Sequence, residues 1–324
     1  MTWRMTSVAA LGITLLCAPA WSSDPVAYIT EIQRKGDGSA FVTRNGEPQS
    51  QPAQPLLVLR RGDEVRVSGD VRVVLLYHAG TGTQTVTRSN SPFSVQAPAV
   101  VRTNDRLQVL VATVGQVFLN QQSAPVYRRL SVRSIEPPTA APVLLSPRST
   151  LIFPGPVTFE WTDSGQTSYG VRVFGSQGLM WEQRDVTRPR VVYPASAPPL
   201  TEGARYTWEI QTSGQPTQRS DFEVISQGAA DRIRDALNTL KAAAREAYSP
   251  GTVPLMRAAI LLDEGLYADA RRELQAAIES NRAEPAYHVL LGYIYQRIGL
   301  RAYAVDETER ALSLSAPEAA ANGR

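Results

Sequence analysis

The side chains that most often carry out chemistry are scarce in this sequence of 324 residues. Its two histidines, His78 and His288, stand in segments of different patterning, and Cys17 is its one cysteine. A zinc site takes three or four nitrogen or sulfur ligands, and a thiol nucleophile needs a base beside it. We therefore expect no metal, no cofactor and no cysteine chemistry in the mature chain.

Adjacent carboxylates are the remaining candidates for acid and base chemistry, of the kind that glycosidases perform. Such pairs occur at Asp63-Glu64, Asp263-Glu264 and Asp306-Glu307. They stand on expected turns and helices, where carboxylates are usually solvated. The sequence also lacks a nucleophile elbow, a phosphate loop, a zinc-protease motif and a dinucleotide-binding motif. We expect no catalytic residues and no enzyme activity.

Length and composition indicate a globular protein of several domains. The chain is more than twice the roughly 150 residues of a typical domain, with 43% apolar and 19% charged residues. Its 33 basic and 30 acidic residues give a net charge of only +3. Nucleic-acid binding usually requires a concentrated basic stripe, so we expect no nucleic-acid partner.

The N-terminus has the pattern of a secretory signal. Arg4 precedes an apolar run from Val8 to Cys17, and Ala18-Pro19-Ala20 supplies small residues for cleavage. The run is about ten residues long, whereas a membrane-spanning helix needs about twenty. We expect a signal peptide over 1–20 with cleavage after Ala20, or slightly later near Ser22 or Ser23, and no transmembrane span afterwards.

Cys17 raises the question of a lipid anchor. A bacterial lipobox resembles Leu-Ala-Gly-Cys, and here bulky Leu16 stands where a small residue is wanted, so we do not expect a lipoprotein. The mature chain then has no cysteine and no disulfide, and Lys35 and Lys241 are its only lysines. These features favour a periplasmic or secreted bacterial protein.

Residues 24–135 begin with short segments of β-type alternation. Phe41 to Arg44 runs into Asn45-Gly46, a hairpin signal because both residues tolerate positive φ. Further alternating segments and glycine turns predict a small antiparallel sheet or barrel. The most informative segments are Val26–Ile32, Leu57–Val65 with its pattern Leu-x-x-Gly-Asp-x-Val, and Val73–Tyr77.

On these segments the stretch resembles the FecR-type domain of bacterial envelope proteins. The resemblance implies an envelope sensing or binding module without catalytic residues. The chain lacks the cytoplasmic arm and membrane span of the signalling members, which puts a sigma-factor regulator role in doubt. Gly62-Asp63 is interpreted as a turn that enters a strand.

The end of this segment has a different pattern. From Asn104 to Asn120, apolar residues at helical spacing predict an amphipathic helix, although Val109 to Val114 is also β-prone. Its predicted buried face consists of Leu107, Leu110, Val111, Val114 and Phe118. Residues 136–142, with Pro137-Pro138, predict an extended linker and a domain boundary.

Residues 143–225 alternate cleanly between apolar and polar side chains. About seven short strands with one buried and one wet face predict a β-sandwich. The predicted inward set is Val157, Phe159, Trp161, Tyr169, Val171, Val173, Tyr206, Trp208, Ile210, Phe222 and Val224. The intervening polar set is Thr158, Glu160, Arg172, Thr207, Glu209 and Gln211. The segment resembles fibronectin-type and immunoglobulin-like modules, and we interpret Trp161, Trp181 and Trp208 as core residues rather than a sugar-stacking surface.

Residues 226–316 change to helical periodicity. A helix is predicted from Ala229 to Tyr248, and Ser249-Pro250-Gly251 ends it. An internal repeat of 34 residues follows from Thr252 to Ser315, which is the tetratricopeptide period. The related pairs are Ala258 and Gly292, Leu261 and Tyr295, Gly265 and Gly299, Leu266 and Leu300, Ala270 and Ala304, and Ala277 and Ala311. Residues 317–324 are expected to be a disordered tail.

The first helices of such repeats line a peptide-binding groove in that family. Here the candidate protein-binding residues are Leu255, Leu262, Val289, Tyr293, Gln296 and Arg297. Two repeats bury little surface, and about three are usually needed for stability. The 229–248 helix is therefore a candidate packing cap, and the groove is either open or filled.

The fold class expected from these segments is multidomain: a FecR-like β domain and an Ig- or fibronectin-like sandwich, followed by an all-α tetratricopeptide-like domain. The expected function is a non-enzymatic periplasmic adaptor or scaffold. Its helical repeats would dock an envelope protein or peptide, and its β domains would contact peptidoglycan or another glycan. The alternative is an envelope sensor that binds a small ligand or glycan through its β domains.

Overall fold

The computed structural model describes residues 24–79, 81–97, 105–123 and 141–315. Within these residues, strands occupy the first and middle parts of the chain, and all α-helices but one follow residue 226. The predicted order of β segments followed by a helical segment is thus confirmed. The predicted signal segment 1–20, linker residues 136–140 and the tail 317–324 lie outside the described residues. Among the helices described, none combines the length and apolar character that a membrane crossing requires.

Two long antiparallel strands organise the N-terminal sheet. β1 (Pro25–Thr43) pairs with β4 (Glu64–Tyr77) along almost its whole length. β2 (Ser50–Pro52) and β3 (Val58–Arg60) add to β1, while β5 (Thr83–Val86) and β6 (Phe93–Ser94) add to β4. A short 3₁₀ helix, Arg88–Asn90, lies between β5 and β6. The hairpin predicted at Asn45-Gly46 is confirmed, since it joins β1 to its antiparallel neighbour β2.

The turn before β4 is held by a buried carboxylate. Asp63 is 2% exposed and accepts hydrogen bonds from the backbone N–H groups of Arg60 at 2.9 Å and Asn45 at 3.0 Å. Its other bond is an ion pair with the Arg44 guanidinium at 2.7 Å. Gly62 has φ of 85°, a conformation that glycine adopts without strain. The interpretation of Gly62-Asp63 as a turn entering a strand is confirmed.

The first helix, α1 (Asp105–Gln122), packs against this sheet. It buries Leu107, Val111, Val114 and Phe118 as expected, while Leu110 is half-buried and Val109 is exposed. The helical interpretation is therefore confirmed over the described residues 105–120. Gly115 permits the close approach: a Cβ there would meet the Tyr28 hydroxyl of β1 at 2.3 Å.

The middle segment forms two facing sheets. Its strands are β7 (Leu144–Ser146), β8 (Thr150–Ile152), β9 (Thr158–Trp161), β10 (Tyr169–Gly175), β11 (Gly178–Val186), β12 (Arg190–Val192), β13 (Arg205–Gln211) and β14 (Gln218–Val224). One sheet has the order β11-β10-β13-β14-β8 and the other β12-β9-β7. β8 pairs with β14 in parallel, and the other pairings are antiparallel.

All of the predicted inward residues of this segment are buried in one core. Trp181 is partly buried and stacks on Phe159 with ring centroids 6.2 Å apart, which agrees with the core interpretation. The expectation for Glu209 was wrong: it is fully buried rather than on a wet face. Two arginines neutralise it, because Arg219 Nε lies 2.6 Å from one carboxylate oxygen and Arg172 contacts the other.

Five helices follow in the described residues 227–315: α2 (Gln227–Ala247), α3 (Thr252–Asp263), α4 (Tyr267–Ser280), α5 (Pro285–Arg297) and α6 (Arg301–Ser315). The hydroxyl of Ser226 caps α2 by accepting a hydrogen bond from Ala229 N. The helix predicted from Ala229 to Tyr248 is confirmed within two residues at its start and one at its end.

The 34-residue period corresponds to a repeated structure. Gly265 and Gly299 have φ of 74° and 78° and end the first helix of each pair. The next residues repeat the same bond: Leu266 N donates to Leu261 O and Leu300 N to Tyr295 O, each at 2.8 Å. The two helix pairs, α3 with α4 and α5 with α6, are therefore built alike.

One apolar core connects the N-terminal sheet with the helices. Tyr28 and Leu76 of the sheet share it with α1, α2 and all four repeat helices. Leu151 and Phe153, which lie in and just after β8, pack against its edge. The helical region thus lies between the two β regions and contacts both.

Candidate functional site

The candidate groove residues fall into two groups. Leu255 is fully buried and Leu262 is 7% exposed. Val289, Tyr293 and Gln296 are half-buried, and Arg297 is exposed. Only the part of the predicted surface on α5 therefore remains accessible to a partner.

The chain's own helices cover the inner face of the first repeat. Both α1 and α2 contact α3, and Leu255 and Leu262 share their core with Val111 and Phe118 of α1. Burial of such side chains stabilises the fold by about 1.5–3 kcal/mol each. The inner face of α3 is thus filled by apolar residues of α1 and α2.

A small polar surface remains where α4 meets α5. The Arg297 guanidinium donates a hydrogen bond to the Tyr267 hydroxyl at 3.1 Å and lies over its ring, 5.8 Å from the centroid. Tyr293 lies one turn before Arg297 on α5. An aromatic and cationic surface of this kind suits contact with a protein.

The contact between β1 and the repeats is polar and buried. Thr252 begins α3, and its hydroxyl donates a hydrogen bond to Glu31 Oε1 of β1 at 2.9 Å. The hydroxyls of Thr30 and Thr252 are 2.8 Å apart. All three residues are at most 1% exposed. This buried cluster of hydrogen bonds connects the sheet to the start of the first repeat.

A second buried carboxylate lies in the same contact. Glu284 caps α5, and its Oε1 accepts hydrogen bonds from Ala286 N at 3.3 Å and from Ile32 N of β1 at 3.4 Å. Its Oε2 is buried without a hydrogen-bond partner in the part of the chain described. Burial, with a smaller contribution from the charge of Glu31, raises the pKa of Glu284 to about 8.

Gly251 is required for this close packing. A Cβ on it would lie 2.6 Å from Cδ of Glu31, and its carbonyl oxygen accepts a hydrogen bond from the Tyr287 hydroxyl at 2.9 Å. Burial raises the pKa of Tyr287, so its hydroxyl keeps the proton that it donates to Gly251. The loop between α2 and α3 is thus fixed by both β1 and α5.

The sandwich is attached to the repeats on their other side. Leu151 N and the Thr150 hydroxyl of β8 both donate to the carbonyl oxygen of Gly265, at 3.0 and 3.1 Å. Arg271 of α4 is nearly buried and forms an ion pair with Glu160 of β9. Backbone and charged contacts therefore attach the sandwich to the first repeat.

The histidines are hydrogen-bonded within the fold. The expectation that the paired carboxylates are solvated was wrong for Asp63 and Glu307, which are 2% and 6% exposed. His78 Nδ1 is hydrogen-bonded to the Tyr28 hydroxyl at 3.0 Å, and His288 Nδ1 to Glu307 Oε2 at 2.6 Å. Glu307 also contacts the Arg310 guanidinium at 2.7 Å. Asp263 and Glu264 are exposed at the end of α3. No group of three or more potential metal-ligating side chains converges within the described residues.

The residues of the polar contact between β1 and the repeats were not predicted from the sequence. Glu31 appears in the sequence as a charged residue inside the apolar run Val26–Ile32, and Glu284 stands directly before the Pro285 that starts α5. A charge within a buried strand indicates a partner from elsewhere in the fold. The sequence does not show which partner, because Thr252 lies 221 positions further along the chain.

The comparisons with known proteins give no family for this chain. No protein-family model matches it, and no curated protein matches it.

Proposed function

We propose that the chain is a non-enzymatic periplasmic scaffold that binds envelope components. Its modules are a FecR-like β domain, a fibronectin-like sandwich and two tetratricopeptide-like repeats. The repeats act mainly as the rigid connection between the two β modules, and the accessible surface of α5 serves as a protein contact.

The observation that carries this proposal is the shared core of the sheet, α1, α2 and the repeats. A flexible chain of independent domains would expose each module and leave the contacts between them wet. Here the contact of β1 with α3 and α5 is buried, and the sandwich is bonded to α4. A fixed arrangement of surfaces suits a scaffold that holds its partners at set positions.

The module assignments have separate support. The order of the five-stranded and three-stranded sheets, with aromatic residues between them, suits a fibronectin-like sandwich. The equivalent bonds at Leu266 and Leu300 suit repeats of the tetratricopeptide type. For the FecR-like domain the support is the Leu-x-x-Gly-Asp-x-Val element, in which Asp63 organises the turn.

The test is capture of envelope components by the mature chain. We expect purified peptidoglycan sacculi or one envelope protein to be retained reproducibly, without hydrolysis of the cell wall. Arg297→Glu changes the exposed surface of α5, and Arg184→Glu is its matched control on the exposed strand β11. A protein partner lost with Arg297→Glu alone supports docking on the repeats.

Two results would count against this proposal. The scaffold proposal would be contradicted if neither sacculi nor any envelope protein is retained in repeated experiments. Release of soluble fragments from sacculi by the mature chain would instead indicate an enzyme.

A further inference from the structure

We infer that the N-terminal β domain carries a binding site for a small acidic sugar. A cavity of about 390 Å³ lies beside β1 and β4, and its volume is in the range of small-molecule sites. The side chains that define it are those of Gln33, Lys35, Asp70, Arg72, Thr87 and Arg88.

A bulge in β1 builds this cavity. Arg34 is opposite Val71 and Gly38 is opposite Gly69, so the three residues 35–37 of β1 stand against the single residue Asp70 of β4. Gly36 at the centre of the bulge has φ of 109°, and a Cβ there would meet nothing within 4 Å. Extra residues in one strand re-aim the side chains beside them, and here Lys35 lines the cavity.

The charges of the cavity favour an anion. Lys35, Arg72 and Arg88 carry positive charge, and Asp70 is the single acidic residue among the described residues of the lining. Lys35 and Arg88 are exposed, and neither forms an ion pair with any described residue. Two cations that pair with no described carboxylate can each bind a ligand carboxylate through a charge-assisted hydrogen bond.

The remaining groups suit the hydroxyls of a sugar. The carboxylate of Asp70 accepts hydrogen bonds. The Gln33 amide, which is bonded to Arg72 and Glu31, keeps one further donor and one further acceptor position. The Thr87 hydroxyl, which is bonded to Ser89 and Asn90, keeps an acceptor position. A site that combined three cations with no acceptor would suit a bare phosphate equally well. The acceptor Asp70 among the cations favours a molecule that carries both a carboxylate and hydroxyls.

The cavity is connected to the helical repeats by hydrogen bonds. Arg72 Nη2 donates to Gln33 Oε1 at 2.8 Å, and Gln33 Nε2 donates to Glu31 Oε2 at 2.8 Å. Glu31 then accepts the hydrogen bond from Thr252 at the start of α3. A ligand carboxylate that binds Arg72 is therefore connected through Gln33 and Glu31 to the contact between the sheet and the repeats.

The proposal deepens the function above by naming a ligand class for one β module, and only the envelope origin of the sugar rests on that function. The probe is N-acetylmuramic acid, an amino sugar with a carboxylate, titrated by calorimetry into the mature chain. N-acetylglucosamine, which lacks the carboxylate, and inorganic phosphate are the comparison ligands. We expect saturable binding of N-acetylmuramic acid, at least about tenfold tighter than either comparison ligand, that weakens as salt is raised.

Variants place the binding in this cavity. Lys35→Gln with Arg88→Gln removes two exposed cations and is expected to weaken binding at least about tenfold. Arg61→Gln removes an exposed cation outside the cavity, and the affinity of this variant for N-acetylmuramic acid should stay within about twofold of that of the parent. Absence of saturable binding would overturn the proposal. So would equal binding of the neutral sugar or of phosphate, or an unchanged affinity in the double variant. None of these results bears on whether the scaffold retains envelope proteins.

Discussion

The carboxylate of Glu31 accepts a hydrogen bond from the hydroxyl of Thr252 at 2.9 Å, although 221 positions separate the two residues. One belongs to the first strand of the N-terminal sheet and the other starts the first repeat helix. Buried polar groups are costly unless they are satisfied, so this bond favours one arrangement of sheet and helices over others. The same contact contains Glu284 and Gly251, and it is where the fold can be tested most directly.

Glu284→Gln should change how stability depends on pH. Burial raises the pKa of Glu284 from 4.5 to about 8. Between these two pH values the carboxyl is therefore protonated in the folded chain and ionised in the unfolded chain. This contribution to stability is fully present below about pH 4.5 and is lost as pH rises towards 8. Glutamine keeps the Oε1 acceptor without the charge, so the variant should melt like the parent at pH 4.5 and at a higher temperature at pH 8.

Thermal melts from pH 4.5 to 8.5 measure this difference. Glu264→Gln, on an exposed glutamate at the end of α3, is the matched control and should follow the parent at every pH. Parallel curves for the parent and Glu284→Gln would show that Glu284 is ionised in the folded chain.

Gly251→Ala should loosen the contact between the sheet and the repeats. The added Cβ would lie 2.6 Å from Cδ of Glu31, and this distance cannot be kept without a shift of the loop or the strand. We expect a loss of roughly 1–3 kcal/mol in the free energy of unfolding, measured by denaturant titration. Gly228→Ala is the control, because a Cβ on Gly228 of α2 meets nothing within 4 Å. It should be neutral or slightly stabilising, since alanine is the better helix former. Equal effects of the two substitutions would contradict the close approach.

The elements themselves were predictable because their signals are local. Alternation of apolar and polar residues located the strands around Phe159, Val171 and Trp208, and all three side chains are in the core of the sandwich. The 34-residue period located the repeat helices, because each repeat must place its glycine and its close-packed residues at equivalent turns.

The contacts between segments were not predictable in the same way. Glu209 stands at one of the alternating polar positions of its strand, yet it is buried because Arg172 and Arg219 lie beside it on neighbouring strands. Leu255 lies on the expected inner face of its repeat, but α1 and α2 cover that face. Such outcomes depend on which distant segments meet, and neither hydrophobic period nor local turn chemistry specifies that.

Leu255→Ala should reveal whether the inner face of the first repeat is filled. Leu255 is fully buried in the core shared with α1, so truncation leaves a cavity and should cost roughly 2–5 kcal/mol in the free energy of unfolding. Leu312→Ala on α6 is the control, because this leucine is 63% exposed, and it should change stability by less than about 0.5 kcal/mol. Denaturant unfolding of the full chain measures both. A small effect of Leu255→Ala would mean that the face is open in solution and available to a peptide.

Arg271→Met should weaken the attachment of the sandwich to the repeats. The side chain of Arg271 is 4% exposed and pairs with Glu160 of β9, whose nearest other ion-pair partner, Arg190, lies 3.9 Å away. Methionine preserves most of the apolar packing of the arginine stem but leaves Glu160 without its main partner. We expect a loss of roughly 1–3 kcal/mol, together with faster hydrogen exchange in β8 and β9.

The adjacent Arg272 provides a close control for this substitution. It carries the same charge on the same helix, is 60% exposed and pairs with Asp269 in an i,i+3 arrangement. Pairs of this kind contribute about 0–1 kcal/mol, so Arg272→Met should leave exchange in the sandwich unchanged. If both substitutions altered exchange equally, net charge on α4 rather than the buried bond to Glu160 would hold the sandwich in place. If neither did, the backbone bonds from β8 to Gly265 would suffice for the attachment.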